Sequence, residues 1–488
     1  MTRKPAINAR LIIKFTGILI MMLAGFMLLS LPWSFFYDET DALNSLLLSA
    51  AITFAAGFTA VMLTRKHDHT NIGKKEGYVI VTVIYLSISF FGALPFYLSG
   101  YIPSFSDAFF EATSGIATTG ATILVDIEAV PKGLLFWRSM THWIGGMGII
   151  VLTLAILPIL GVGGMQLFVA EVPGTTPQRL HPRITQTAKR LWGIYVGLTL
   201  TQTMLLMLGG MDFFHSINHA FSTVATGGFS TQNNSIGEYS AYIQYVVILF
   251  MILGATSFTL HYYVIKGQLN KVIDNEEFLF FLKVIAVFTL FFTAILLVVN
   301  QSGFEYTIRK SLFQVVSIIT TTGFITTDYM EWRGFVWFIL FLLMFTGGCI
   351  GSTAGGLKMI RILVLIKNTR LEFKRLLHPM AVIPVRINKR TIPQDIIHNF
   401  LAFFLLYMLL FMAGSAVMTM FGLDFASAIG ASAATLGNVG PAIANVGPIQ
   451  SYAAIPDGAK WVLSAFMIIG RLEIFTVLLL FSPSFYKK

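Results

Sequence analysis

A chain of 488 residues that is 56% hydrophobic and only 11% charged, with a mean hydropathy of +0.76, carries more apolar surface than a soluble core can bury and is read as a polytopic membrane protein. Its single cysteine, Cys349, excludes an intrachain disulfide framework. The net charge of +10 does not point to nucleic acid, because the basic residues lie in short segments between apolar stretches rather than in a soluble basic domain.

Apolar windows of about 20 residues, the length that crosses a bilayer, predict ten spans near 11–31, 43–64, 77–99, 136–160, 190–210, 240–265, 278–299, 334–366, 398–421 and 460–482. Residues 1–31 open with Arg3, Lys4, Arg10 and Lys14 ahead of an apolar run, as a signal peptide does. The run is long for one and no small-x-small cleavage site follows, so it is read as a first anchored span. An even number of spans puts both termini on one side. With that side cytoplasmic, inner segments hold 25 of the 33 basic residues and outer segments six, the asymmetry the positive-inside rule expects. The longest basic connection, 367–390, contains Lys367, Arg370, Lys374, Arg375, Arg386, Lys389 and Arg390; membrane lipid, a cytosolic partner and topology alone each account for it.

Beyond the first two spans the chain repeats. Four outer connections share an acidic residue, a short half-apolar segment and a small-residue run ending in glycine. They are Asp107–Ala117 followed by Thr118, Thr119 and Gly120; Asp212–Ala225 followed by Thr226, Gly227 and Gly228; Glu305–Thr320 followed by Thr321, Thr322 and Gly323; and Asp424–Gly437 followed by Asn438, Val439 and Gly440. Each unit is span, re-entrant segment, span, so all four have one orientation, unlike the inverted repeats of many transporters. The predicted fold is an all-α polytopic membrane protein with a two-span domain at 1–74 and four parallel pore repeats, 75–162, 163–267, 268–390 and 391–488, around a pseudo-fourfold pore. The acidic residues suit short-helix N-termini, which leaves the helices' negative ends pointing inward.

A Thr-x-Gly loop adopts backbone angles closed to bulkier residues, and four of them replace a cation's hydration shell with carbonyl oxygens. The plainer alternative is close packing through small residues, but four loops in register favour a filter. Within 334–366 the glycines Gly347, Gly348, Gly351, Gly355 and Gly356, with Gly334 at the edge, break a helix. The segment 346–358, ending in Lys358, is read as a gate or as a close-packing seam. Gly351–Lys358 superficially resembles a nucleotide P-loop, but Leu357 separates Gly356 from Lys358 and no Ser/Thr follows, so nucleotide binding there is rejected. Arg471 lies well inside a span and either faces the pore as a barrier to cations or locks helices through a salt bridge or carbonyl contacts. Glu111 is either a buried anchor for the filter, the preferred reading, or a vestibule charge. Asp107, Asp126, Glu128 and Asp328 either concentrate cations at the outer mouth or are ordinary solvated charges. His215 and His219 share a helix face without a third ligand in reach.

These loops, together with His142–Gly148 (His-Trp-Ile-Gly-Gly-Met-Gly), Thr346–Lys358 and Gly470–Phe475, resemble the Trk/Ktr/HKT superfamily of potassium transporters over essentially the whole chain, and most closely the membrane subunits of bacterial Trk systems. The resemblance implies K+ as the transported ion, Gly120, Gly228, Gly323 and Gly440 as filter glycines, and an intramembrane loop at 346–358 that occludes the pore. It also implies a homodimer on which a cytosolic ring of Rossmann-type, nucleotide-binding, TrkA-like subunits docks, so nucleotide would act only through a separate regulatory chain. In some plant members a serine at the first filter glycine accompanies sodium permeation; Gly120 therefore implies potassium selectivity. The fourth loop, Asn438-Val439-Gly440-Pro441, departs from the Thr-rich pattern and need not be equivalent. The rival reading is an alternating-access, cation-coupled symporter. An enzyme is not expected, since no Ser/His pair, His-Glu-x-x-His or paired membrane aspartate is present.

Overall fold

The structure, a computed structural model, describes residues 8–65, 74–148, 184–300, 303–332 and 334–486. The predicted inner segment 162–190 is described only from residue 184, the segment 65–76 only at its ends, and Arg3 and Lys4 lie outside the described residues. Among the described residues six helices are long and apolar enough to cross a membrane: Ala9–Phe36 taken as one stretch, Thr40–Leu63, Lys75–Leu98, Ala188–Leu208, Glu276–Val299 and Gln394–Met420. Two more predicted spans are bent pairs, Ala241–Gly254 with Phe258–Ile265 at 102° and Asp457–Arg471 with Ile474–Phe481 at 114°.

The remaining two spans are not continuous helices either. Gly334–Leu343 and Met359–Leu377 flank a non-helical segment, while Lys132–Trp143 runs into a π-helical turn at Ile144–Gly148, beyond which the fourth predicted span leaves the described residues. Hydropathy windows average composition and do not register how close neighbouring backbones come. A Cβ on Gly145 would stand 2.0 Å from the carbonyl oxygen of Ile116, and one on Gly146 2.8 Å from the Ala225 Cβ. The apolar stretches after the short helices are therefore broken where those helices end against them.

The first long helix, Ala9–Leu28, crosses Thr40–Leu63 at a pair of glycines. A Cβ on Gly57 would approach the Gly17 carbonyl oxygen to 2.7 Å, and one on Gly17 the Gly57 carbonyl oxygen to 2.8 Å, the close approach small residues permit between membrane helices. Gly57→Leu is expected to force the pair apart and destabilise the protein by about 1–3 kcal/mol. A lowered thermal midpoint in detergent is the readout, and an unchanged midpoint would show that the crossing tolerates separation.

This hairpin also supports the rest of the chain. Glu39, at the turn before Thr40, accepts hydrogen bonds from the amides of Lys132 (2.6 Å) and Gly133 (3.0 Å), satisfying the unpaired N–H groups that open the helix Lys132–Trp143. One buried core joins the hairpin, Lys74–Leu98, Phe105–Ile116 and Asp457–Arg471; a second joins Ile184–Leu208, Ala241–Gly254, Glu276–Asn300 and Phe304–Ile319. In the predicted basic segment 367–390, Met359–Leu377 is followed by two-residue strands, Arg386–Ile387 and Arg390–Thr391, paired antiparallel. Lys367 forms an ion pair with Glu276, and Asn388 and Glu276 exchange backbone and side-chain hydrogen bonds at 2.8 and 2.9 Å. Part of this basic charge thus fastens the connection to the start of a span.

Candidate functional site: a ring of four loops

Four short helices, Phe105–Ile116, Phe213–Val224, Phe304–Ile319 and Phe425–Leu436, end in one repeated structure. The amides of Thr119, Gly227, Thr322 and Val439 donate to the carbonyls of Ser114, Ser222, Ser317 and Ala434 at 2.8–2.9 Å, and those of Thr118, Thr226, Thr321 and Asn438 to Gly115, Thr223, Ile318 and Thr435 at 2.9–3.3 Å. This paired pattern is the Schellman stop, in which the residue beyond the helix adopts the left-handed region and is usually glycine. Here it is Thr118 (φ 50°), Thr226 (53°), Thr321 (54°) and Asn438 (54°). Asparagine tolerates that region, whereas a β-branched threonine there is strained by about 1–3 kcal/mol and persists only where its surroundings hold it.

Two residues on, φ is positive again, at Gly120 (82°), Gly228 (85°), Gly323 (79°) and Gly440 (92°). These glycines press against the next loop in order. A Cβ on Gly120 would stand 2.2 Å from the Gly227 carbonyl oxygen, on Gly228 1.9 Å from that of Thr322, on Gly323 2.1 Å from that of Val439, and on Gly440 2.4 Å from that of Thr119. The sequence of contacts runs through all four loops and returns to the first, so they close a ring. The fourth loop, expected to be the irregular one, has the same backbone as the others despite Asn438, Val439 and Pro441. Its asparagine is used differently: Nδ2 donates to Thr119 Oγ1 and to the Met467 carbonyl, both at 2.9 Å.

The predicted acidic starts divide into two kinds. Asp212 and Asp424 are N-caps, accepting from Phe214 at 3.1 Å and Ser427 at 3.1 Å, and hydrogen bonds from Ser427 hold the Asp424 carboxyl below the usual carboxylate range. Asp107 and Glu305 lie instead in the first helical turn, paired with Lys460 at 2.5 Å and Arg309 at 2.8 Å.

The glycine-rich segment docks on this ring. Thr353 Oγ1 lies 3.2 Å from Thr226 Oγ1 and donates to the carbonyls of Val224 (2.9 Å) and Gly254 (3.0 Å); the Gly355 amide donates to Thr321 Oγ1 at 2.7 Å. Gly347 and Gly355 are needed for close approach, since a Cβ on Gly347 would meet the Gly355 carbonyl oxygen at 2.1 Å. Gly348 packs against Ala255, while Gly351 (φ 74°) and Gly356 (φ 62°) sit in left-handed turns. Lys358 donates to the Ala354 carbonyl. A single oxygen of the buried Glu277, Oε1, accepts from Ile350 (2.7 Å) and Ile360 (3.2 Å), tying the segment to the helix Glu276–Asn300. Sequence reading missed Thr353 and Glu277; an acid at a span edge was the available signal for the latter.

A model of the TrkH family, described as cation transport protein, matches residues 44–487. The chain belongs to this family. It is 38% identical over 485 residues, 99% of its length and 100% of the relative's, to the Trk system potassium uptake protein TrkH of Halomonas elongata, and 39% identical over 484 residues to the protein of that name in Escherichia coli K12, covering 98% and 99% of the two chains. Its fold matches the crystal structure of the potassium transporter TrkH from Vibrio parahaemolyticus with a TM-score of 0.88 at 36% identity, over 98% of this chain and 99% of that one. The expectation of a Trk-type, all-α transport protein rather than an enzyme is met at the level of the family.

Within this family framework, two of the basic residues counted outside the spans prove to be interior. Arg138 is 1% exposed and Arg361 3%. Arg138 Nε lies 2.6 Å from Glu111 Oε1 and its Nη1 donates to the Ser230 carbonyl at 2.8 Å. Glu111 also accepts from Thr122 Oγ1 at 2.9 Å and the Ile123 amide at 2.9 Å, so it is the buried anchor preferred from sequence and not a vestibule charge. The pair fastens the segment after the first loop to the segment after the second. Arg361 pairs with Glu473, which turns the chain with φ 60°; the helix ends at Arg471, so the helical spacing expected between Arg471 and Glu473 does not apply. Arg471 donates to the carbonyls of Thr353 (2.5 Å), Gly145 (2.8 Å) and Gly146 (2.7 Å), the carbonyl-locking geometry of its two sequence readings.

Other candidates are structural. His215 Nδ1 lies 2.6 Å from Thr231 Oγ1 and His219 Nε2 3.0 Å from Ser230 Oγ, so both hold the segment after the second loop. Asp126 accepts from Asn233 Nδ2 at 3.0 Å, which lowers its carboxyl below the usual range; Glu128 accepts from the Asn233 amide at 3.1 Å and Asp328 caps a short turn at Met330.

Proposed function

We infer that this chain moves potassium across the bacterial inner membrane through a selective, gated, channel-like pore, as the membrane subunit of a Trk uptake system. The observation that carries this reading is the closed ring of four loops with left-handed backbone at the first and third positions. Alternating handedness sets successive peptide groups parallel along a chain, and four such chains around an axis give a cation stacked layers of carbonyl oxygen in place of its hydration shell. The filter comprises Thr118, Thr119 and Gly120; Thr226, Gly227 and Gly228; Thr321, Thr322 and Gly323; and Asn438, Val439 and Gly440. K+ is cargo there, not a resident cofactor.

The gate is the segment carrying Gly347, Gly348, Gly351, Gly355, Gly356 and Lys358, with Arg471. Its docking on Thr226 and Thr321 supports a position directly beneath the filter. The two-span domain at 1–74 and pore repeats at 75–162, 163–267, 268–390 and 391–488 complete the organisation. Both termini are cytoplasmic, the unit works as a homodimer in the lipid bilayer, and nucleotide control comes from a separate Rossmann-type TrkA-like subunit on the inner face. The named relatives, potassium uptake proteins of a Trk system, support potassium as the cargo and membership of a multi-subunit system.

Purified protein in liposomes under a K+ gradient, with rubidium, sodium and an organic cation in parallel, tests the reading. A reversal potential that follows potassium alone is expected; displacement by an imposed proton gradient would instead require coupled transport. Arg471→Ala is expected to raise the resting K+ flux several-fold, because it removes a fixed positive charge and the hydrogen bonds that link the gate segment at Thr353 to Gly145 and Gly146. Unchanged flux in folded protein would remove the barrier role.

A further inference from the structure

The middle residues of the four loops are Thr119, Gly227, Thr322 and Val439. Three are β-branched, and the second has no side chain. Backbone conformation does not demand the glycine, because φ is positive at Thr226 and Gly228 but not at Gly227. What excludes a side chain is His142: a Cβ on Gly227 would lie 1.9 Å from its Nδ1 and 2.5 Å from its Cγ and Cε1. The imidazole occupies the volume that a side chain on Gly227 would need.

His142 reaches this place from the helix Lys132–Trp143, 85 positions earlier in the chain. It is fully buried and meets Phe229 in an edge contact with ring centroids 4.0 Å apart; the Arg138 guanidinium lies over the same Phe229 ring at 3.5 Å. Arg138 is itself held by Glu111 and by the Ser230 carbonyl. The second loop is therefore backed by a stack supplied by another repeat. Neither His142 ring nitrogen has a hydrogen-bond partner among the described protein atoms, so the ring acts on the loop by shape, and close-packed interiors transmit a displaced wall to their neighbours. The Gly227 carbonyl oxygen, against which Gly120 packs, is the first thing such a displacement moves.

We propose that His142 supplies in trans the side chain that the second filter loop lacks, and that its ring positions the Gly227 carbonyl and thereby sets the preference for potassium over sodium. His142 is in this sense a positioning residue. The assignment rests on the filter reading given above.

A side-chain exchange tests it. Gly227→Thr, His142→Ala and the double variant are reconstituted, and the K+/Na+ permeability ratio is taken from reversal potentials, which a role confined to folding does not alter. Gly227→Thr overpacks the site and His142→Ala empties it, so each lowers the ratio by about tenfold. The double variant puts a threonine into the vacated space, as at Thr119 and Thr322, and recovers most of the ratio. A ratio unchanged in both single variants, or a double variant no better than the worse single, overturns the proposal. If Gly227→Thr is recovered only as aggregate, a monodisperse and selective double variant supports the exchange, while an aggregated double beside an intact His142→Ala overturns it. Gly120→Ser runs alongside: if it keeps full potassium preference the filter reading fails and this proposal with it, whereas loss of preference there with wild-type ratios in the His142 and Gly227 variants rejects the His142 assignment alone.

Discussion

Gly120→Ser is expected to lower the K+/Na+ permeability ratio by about tenfold or more, since overpacking costs about 1–3 kcal/mol and each 1.4 kcal/mol is a factor of ten. Two independent features of Gly120 demand glycine. Its φ of 82° lies where an L side chain is strained, and a Cβ would stand 2.2 Å from the Gly227 carbonyl oxygen, which cannot retreat without moving the second loop. The serine therefore widens the ring at the contact between loops one and two. Reversal potentials of reconstituted protein under opposed potassium and sodium gradients give the answer, with size-exclusion chromatography to establish that the variant is folded. Full potassium preference in the folded variant would mean that selectivity resides elsewhere than at this position.

Arg138→Met is expected to destabilise the protein by about 3–5 kcal/mol, because it strands the Glu111 carboxylate in the interior without its partner. Both side chains are almost wholly enclosed, at 2% and 0% exposure, so water does not take the place of the guanidinium. The loss of the hydrogen bond to Ser230 adds to this. A sharply reduced thermal midpoint in detergent is the measurement. Adding Glu111→Gln to the same chain is expected to return part of the loss, since the amide carbonyl still accepts from Thr122 or Ile123 without a buried charge. A single variant as stable as the parent would show that the pair contributes nothing net.

The all-α membrane character and the four units of short helix and glycine-ended loop were legible because they are written in features local in sequence. Long apolar windows mark the candidate spans, and a helix stop followed two residues later by a glycine recurs four times with visible spacing, three times as Thr-x-Gly and once as Asn-Val-Gly. The structure finds the Schellman stop at each of those places. The breaks after the short helices were legible only at 346–358, where five glycines and a serine interrupt the apolar run; at 255–257 and at Glu473 composition stays apolar enough for a window to run through. The burial of Arg138 and Arg361 was illegible for the same reason: a charge near a span end is ordinarily solvated, and burial depends on whether a partner such as Glu111 or Glu473 arrives from another segment.

The sequence by itself determined that this is a membrane protein of repeated span, short helix and glycine-ended loop, because hydropathy, charge asymmetry and helix-stop chemistry act over a few residues at a time. Only the tertiary structure decided that the four loops close into a ring, that the irregular fourth loop shares the backbone of the other three, and that Arg471 binds the carbonyls of Thr353, Gly145 and Gly146. Those features come from contacts between segments about a hundred or more positions apart. There the space one residue leaves empty is filled by another, as Gly227 is by His142, and chain-local patterns carry no record of which residue that is.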